Sequence, residues 1–216
     1  MAYRSGTYVA FHAAGTNLPG KSDMDYYNLM KAWTAKTDEE FTMINSHDKA
    51  CAVRDSSLRS TLRKSLLERL RNSKNMVLII GETTCLDTDW VPFEIEQAVD
   101  TYRIPIIAAY TVSDKPIRNP AALIGYWPIP LTERINNGTA NVIHIPFKKG
   151  ALKDAIRFSH ADPPPWEVGL ESTAMKRIGI LVLRIEAVLD QPARKIKGRV
   201  VGQVLSVYDD EHTSGL

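Results

Sequence analysis

The chain has 216 residues, 44% hydrophobic and 24% charged, the arithmetic of one full-sized globular domain with a remainder. Its longest apolar runs, such as Val77 to Ile80 and Ile178 to Leu183, fall far short of the roughly 18 to 20 residues that cross a bilayer, so no membrane span is expected. A net charge of +2 gives no reason to expect nucleic acid as a partner, and the amino terminus lacks an apolar secretory core, which points to the cytoplasm. Cys51 and Cys85 are too few for a disulfide framework or a zinc site and are expected to be reduced, buried thiols; the five histidines show no metal-ligand spacing.

Strand-length apolar runs alternate with stretches of helical period. Thr7 to His12 predicts a strand, and the loop after it holds Gly15, Pro19 and Gly20, which break regular structure. Ser22 or Asp23 can cap a helix to about Ala35, with Met24, Tyr27 and Met30 on one face. Phe41 to Ile44 is a second short strand. Asp55, Ser56 or Ser57 can cap the strongest helix, in which Leu58, Leu62, Leu66, Leu67 and Leu70 recur at helical spacing until about Asn75. Its other face carries Arg59, Arg63, Lys64, Arg69, Arg71 and Lys74 and reads as solvated.

Met76 to Glu82 is continuously apolar until it meets Gly81, as in a strand buried on both faces. A helix from Trp90 to about Tyr102 follows, with Pro92 in its first turn, where a missing N–H costs nothing. Ile104 to Tyr110 is another buried strand. Thr111 to Asn141, with four prolines, reads as irregular; Val142 to Phe147 is a strand and Ala151 to Phe158 a short helix. Alternating strands and helices imply a parallel sheet covered on both faces, with function in the loops at the carboxyl ends of the strands. Beyond the domain at 1–160, a proline-rich linker at 161–170 leads to an extension at 171–216. Its apolar strings, Ile178 to Leu189 and Val200 to Val207, are expected to pack back on the domain or on a second copy; a hairpin and a helix followed by a strand both fit them.

Two motifs compete for the chemistry. Gly15 to Ser22, GTNLPGKS, fits the phosphate-loop pattern letter for letter. Against it, Pro19 has no N–H at a position inside the cradle, and neither neighbouring apolar strand ends in the aspartate that would hold magnesium. The other motif is WVPFEIEQA, Trp90 to Ala98, a tryptophan and then a glutamate on the first turns of a helix after the central strand. A carboxylate there is expected to stay ionised, because the helix dipole favours an anion. Glu96 lies on another face. His47 and Asp48 form a conceivable acid/base pair but read better as a turn and helix cap.

The Trp90 to Glu94 arrangement resembles the W-x-x-x-E helix of Toll/interleukin-1 receptor (TIR) domains, where that glutamate serves NAD-cleaving members. YVAFHA, YYNLMKAW, FTMINSHD, VRDSS, LRKSLLERLRNSKNMVLIIGE, WVPFEIEQAV and IPIIAAY fall in the order and spacing of the bacterial TIR-like branch that includes the B component of Thoeris anti-phage systems. The resemblance covers about residues 7 to 160. It implies an α/β, flavodoxin-like TIR fold with a central parallel five-stranded sheet, helices on both faces and a small C-terminal extension. It also implies cleavage of the nicotinamide–ribose bond of NAD+, used as substrate with no resident cofactor or metal, to give an ADP-ribose-derived signal for an effector. Glu94 would be catalytic and Phe11, His12 and Trp90 would bind substrate, with self-association through TIR–TIR contacts and with no nucleic acid or membrane partner. The alternatives are a non-enzymatic TIR interaction module and a nucleotide hydrolase using Gly15 to Ser22.

Overall fold

The computed structural model describes residues 4, 6–16, 20, 22–35, 43–44, 56–159 and 181–183. In chain order these give β1 (Thr7–Ala10), α1 (Met24–Thr34), β2 (Met43–Ile44), α2 (Ser56–Arg71), β3 (Asn75–Ile80), α3 (Trp90–Glu96), β4 (Ile106–Tyr110), α4 (Ile129–Asn136), β5 (Val142–Pro146), α5 (Lys149–Ser159) and β6 (Leu181–Leu183). The sheet order is β2-β1-β3-β4-β5-β6, whose first five members follow the flavodoxin order. Four strands of four to six residues, β1, β3, β4 and β5, form its parallel body. In place of a full fifth parallel strand, the described chain has a two-residue pairing, Thr7 with Met43 and Tyr8 with Ile44. Phe41 and Thr42 lie outside the described residues. On the opposite edge β6 pairs antiparallel with β5, Val142 facing Leu183, so a segment of the C-terminal extension joins the domain's own sheet.

Pleating sends alternate residues to opposite faces. Tyr8, Ala10, Met76, Leu78 and Ile80 enter one apolar cluster with Leu62, Leu66 and Leu70 of α2 and Val91 and Ile95 of α3. Val9, Phe11, Val77 and Ile79 enter another with Tyr27 and Met30 of α1 and Leu152 and Ile156 of α5. The result is three layers, with the sheet buried between two sets of helices.

Several boundaries shift for identifiable reasons. Asn75 belongs to β3 rather than to the end of α2, and its buried side chain donates to Ser159 Oγ across 2.6 Å. The expected regular helix to Tyr102 is α only to Glu96 and continues as a π-helical turn, Gln97–Thr101, where the Tyr102 N–H reaches back to the Gln97 carbonyl at 3.0 Å. The region read as irregular contains a 3₁₀ segment, Pro120–Tyr126, and α4. Its prolines start structure there instead of breaking it. The Pro128 carbonyl accepts from Leu131 N at 3.0 Å, and Pro130 lies in the first turn, where its missing N–H would have had no helical partner.

Three rings join this region to the sheet. Trp127 Nε1 donates to the Tyr110 hydroxyl at 2.7 Å, and that hydroxyl lies 2.7 Å from His144 Nδ1. Burial pushes His144 down to about 3, so the ring is neutral. The indole can only donate, so the phenol oxygen accepts from it while sharing a second hydrogen bond with Nδ1. Replacing Trp127 by Phe should leave the buried phenol oxygen without its donor and cost about 1–3 kcal/mol in urea denaturation. An unchanged midpoint would show that the trio does not hold α4.

Candidate active site

In the flavodoxin strand order the ligand crevice opens where β1 and β3 diverge, at their carboxyl ends. Two loops meet there. The His12 ring Nδ1 lies 3.1 Å from Thr83 Oγ1, tying the end of β1 to the loop after β3. Asp23, read from sequence as a cap for α1, turns its side chain away from its own helix. Thr84 Oγ1 donates to its carboxylate at 2.8 Å and itself accepts from Gly81 N at 2.7 Å. Asp23 N donates to the His12 carbonyl at 3.1 Å, while Ser22 Oγ accepts from Met24 N at 3.3 Å in the capping role. Gly81 leaves room for this clasp, because a Cβ there would collide with the Asp23 carboxylate. Burial raises the Asp23 carboxyl, against the opposing pull of the Thr84 hydrogen bond and His12. Asp23 and Thr84 escaped notice as a pair because they lie 61 positions apart.

Glu94 lies deeper, fully buried between the sheet and α3. The Tyr8 hydroxyl donates to Glu94 Oε1 at 2.5 Å. Its helix is started by Asp87, whose Oδ1 accepts from the N–H groups of Asp89 at 2.8 Å and Trp90 at 3.1 Å. Burial raises Glu94 to about 8, the Tyr8 hydrogen bond works against that rise, and the Asp87 charge adds to it. The expectation of an ionised Glu94 is therefore corrected. At neutral pH the resting carboxyl is protonated, because desolvation outweighs the helix dipole, and the nearest capping anion is Asp87.

The other sequence candidates occupy different surfaces. Phe11 is 1% exposed on the far side of the sheet, stacked on Tyr27 with ring centroids 4.7 Å apart. Trp90 is half-buried, packed at the margin of the apolar cluster that holds Tyr8, with the Arg59 guanidinium 5.2 Å from its ring centroid. It lines an external groove of about 480 Å³ with Arg59, Arg63, Asp89, Phe93 and Glu96. Among the four residues named from sequence, Glu94 meets Tyr8, His12 meets Thr83, Phe11 meets Tyr27, and Trp90 meets Arg59. Tyr8 was legible only as a strand residue. Cys85 is a free thiol but half-buried, not buried as expected.

Of the phosphate-loop motif, Gly15, Thr16, Gly20 and Ser22 are described. Gly20 N donates to the Asp25 carboxylate at 2.6 Å, which occupies an N–H that a phosphate cradle would use. Asn17, Leu18, Pro19 and Lys21 lie outside the described residues, as do His47, Asp48, Cys51 and the linker.

A parallel α/β domain in flavodoxin order, with a tryptophan and a buried glutamate at W-x-x-x-E spacing on its third helix, is of the TIR-like class. Residues 8–116, half of the chain, match the family described as Thoeris protein ThsB, TIR-like domain, and the chain belongs to that family. The match runs from β1 to just beyond β4 and includes both Tyr8 and Glu94.

Folded Glu94 keeps its proton up to about pH 8, whereas the unfolded side chain releases it near 4.5. Between those values the folded state binds more protons, so this group's contribution to stability falls as pH rises and levels off above the window. Glu94→Gln should flatten that decline, by an amount on the order of a few kcal/mol across the window. Asp23 contributes with the same sign, so the difference between wild type and variant isolates Glu94. Parallel melting curves across pH for the two proteins would refute the assignment.

Proposed function

We propose that this chain is a TIR-like NAD glycohydrolase or cyclase. It would cleave the nicotinamide–ribose bond of NAD+ and make an ADP-ribose-derived signal in prokaryotic anti-phage defence. The observation that carries the reading is Glu94, a buried carboxyl with a raised proton affinity in the W-x-x-x-E segment of a TIR-like domain. A full TIR sheet, with Phe41 to Ile44 as a longer second strand, belongs to the same reading.

The chemistry asks little of the protein. Nicotinamide leaves as a neutral ring that takes the electron pair of the C1′–N bond, so no general acid is needed. The ribosyl carbon becomes an oxocarbenium-like cation, which an adjacent carboxylate stabilises. Water capturing that carbon gives hydrolysis, and a nucleophile of the ADP-ribose itself gives cyclisation; either loses one proton. The neutral Glu94 of the resting chain must ionise to act. The positive nicotinamide-ribosyl group promotes this, because an adjacent cation favours the charged form of a carboxyl. NAD+ is substrate in this scheme, with no resident cofactor or metal. His12, at the strand-end crevice, would contact the nucleotide, Phe11 would support that wall from behind, and Trp90 would border the helix entrance. Self-association through TIR–TIR contacts would complete the site in the cytoplasm, and an effector would respond to the product.

The test is nicotinamide release from NAD+ by the purified chain, free and artificially clustered. Glu94→Gln should lower the rate by about 10²-fold or more, as loss of a transition-state electrostatic partner does. Glu96→Gln and Lys21→Ala should retain it. Release that survives Glu94→Gln would remove Glu94 from the mechanism. NAD+ left intact even on clustering would favour a non-enzymatic interaction module.

A further inference from the structure

Tyr8, a member of an apolar cluster, makes a polar contact with Glu94. Both are fully buried, and a hydrogen bond of 2.5 Å connects them across 86 positions of chain. Tyr8 stands on β1, held in register by Met76 of β3 and by Ile44 of β2. Glu94 stands on a helix whose start is fixed by the Asp87 side chain. Both residues stand on regular elements, so the hydroxyl meets the carboxyl across the gap between β1 and α3. A phenol in such a place normally needs a partner, but an amide carbonyl would serve equally well; a carboxyl raises the desolvation cost for no gain in packing.

We infer that Tyr8 is a positioning residue for Glu94: its hydroxyl, fixed on β1, holds Oε1 and sets the orientation of the carboxyl. This rests on the role given to Glu94 above. The hydroxyl donates to either protonation state, but the bond to the carboxylate is charge-assisted and stronger, so it favours the anion that the reaction uses. Asp87, from the loop before α3, opposes that ionisation. On the other side of the contact, Arg69 of α2 and Tyr27 of α1 act on Tyr8, the first favouring its anion and the second opposing it. Burial and Glu94 itself keep the phenol protonated well beyond its ordinary range, so Tyr8 remains a donor at every pH where the site would work.

Tyr8→Phe keeps the ring and removes the donor. Two measurements read the result. In the first, infrared difference spectra against Glu94→Gln isolate the protonated carbonyl band of Glu94 and follow it with pH. The inference expects this band to be present at neutral pH, and in Tyr8→Phe to shift in frequency and to persist to higher pH by about one unit. A band that titrates identically with and without the hydroxyl overturns it. In the second, NAD+ cleavage by the clustered chain should fall roughly tenfold at neutral pH in Tyr8→Phe, through kcat with KM little changed, and recover partly as pH rises. A purely structural hydroxyl would lower the melting temperature and leave the pH profile in place, which also overturns the inference. If no variant cleaves NAD+, the reading of the function fails, and the infrared arm still decides whether Tyr8 holds the Glu94 carboxyl.

Discussion

The sheet is covered on both faces, and that constraint decides where polar chemistry can exist. Along β1 and β3 every residue is buried, and successive side chains feed two separate apolar clusters. A polar group is tolerated where a strand ends or where a partner reaches it from another element. Both solutions are used. At the strand ends, the Asp23–Thr84–Gly81 clasp and the His12–Thr83 contact draw two loops together. Inside the layer, the Tyr8 hydroxyl meets Glu94. The two arrangements share β1, because Tyr8 faces α3 while the strand's last residues lead into the loop of His12.

How much of this was legible in the sequence depended on the range of the signal. Local periodicity was enough for α1, for the leucine face of α2 and for the continuously apolar β3. It failed at α4, where Pro128 and Pro130 look like breakers; their roles at the cap and in the first turn depend on where the helix begins, which a proline count does not reveal. The position of Glu94 came from resemblance more than from its own neighbourhood, since a glutamate near a helix start is usually solvated. Its protonation was not legible at all. The helix dipole is a local property, readable from sequence, whereas desolvation is set by Tyr8 and the sheet, which are distant along the chain. Local reasoning therefore missed the burial that raises Glu94.

That reversal changes the demands on the site. A carboxyl that is neutral at rest exerts no long-range pull on a cation and costs less to bury than an anion would. In the reaction proposed above, a cation beside Glu94 would favour its ionisation, so that charge would be coupled to occupancy. Trp90 and the groove beside it lie outside this arrangement. There the aromatic faces are covered by guanidinium groups, with Arg63 4.1 Å from the Phe93 ring centroid, and Arg59 is ion-paired with Asp89. The W and the E of the motif, four apart, share a face of one short helix: Glu94 is fully buried against Tyr8, and Trp90 is half-buried at the margin of the same apolar cluster.

The last strand bears on how such a domain meets its neighbours. An uncovered parallel edge at β5 would offer a row of backbone donors and acceptors to any second chain. Leu181–Leu183 takes that place in an antiparallel pairing with Val142–His144. In the self-association proposed above, a covered β5 edge would turn contact between copies away from this strand. At the other end of the sheet, Tyr8 pairs through its backbone with Ile44 while its hydroxyl reaches Glu94 on α3, so the same residue joins the β2 pairing to the helix.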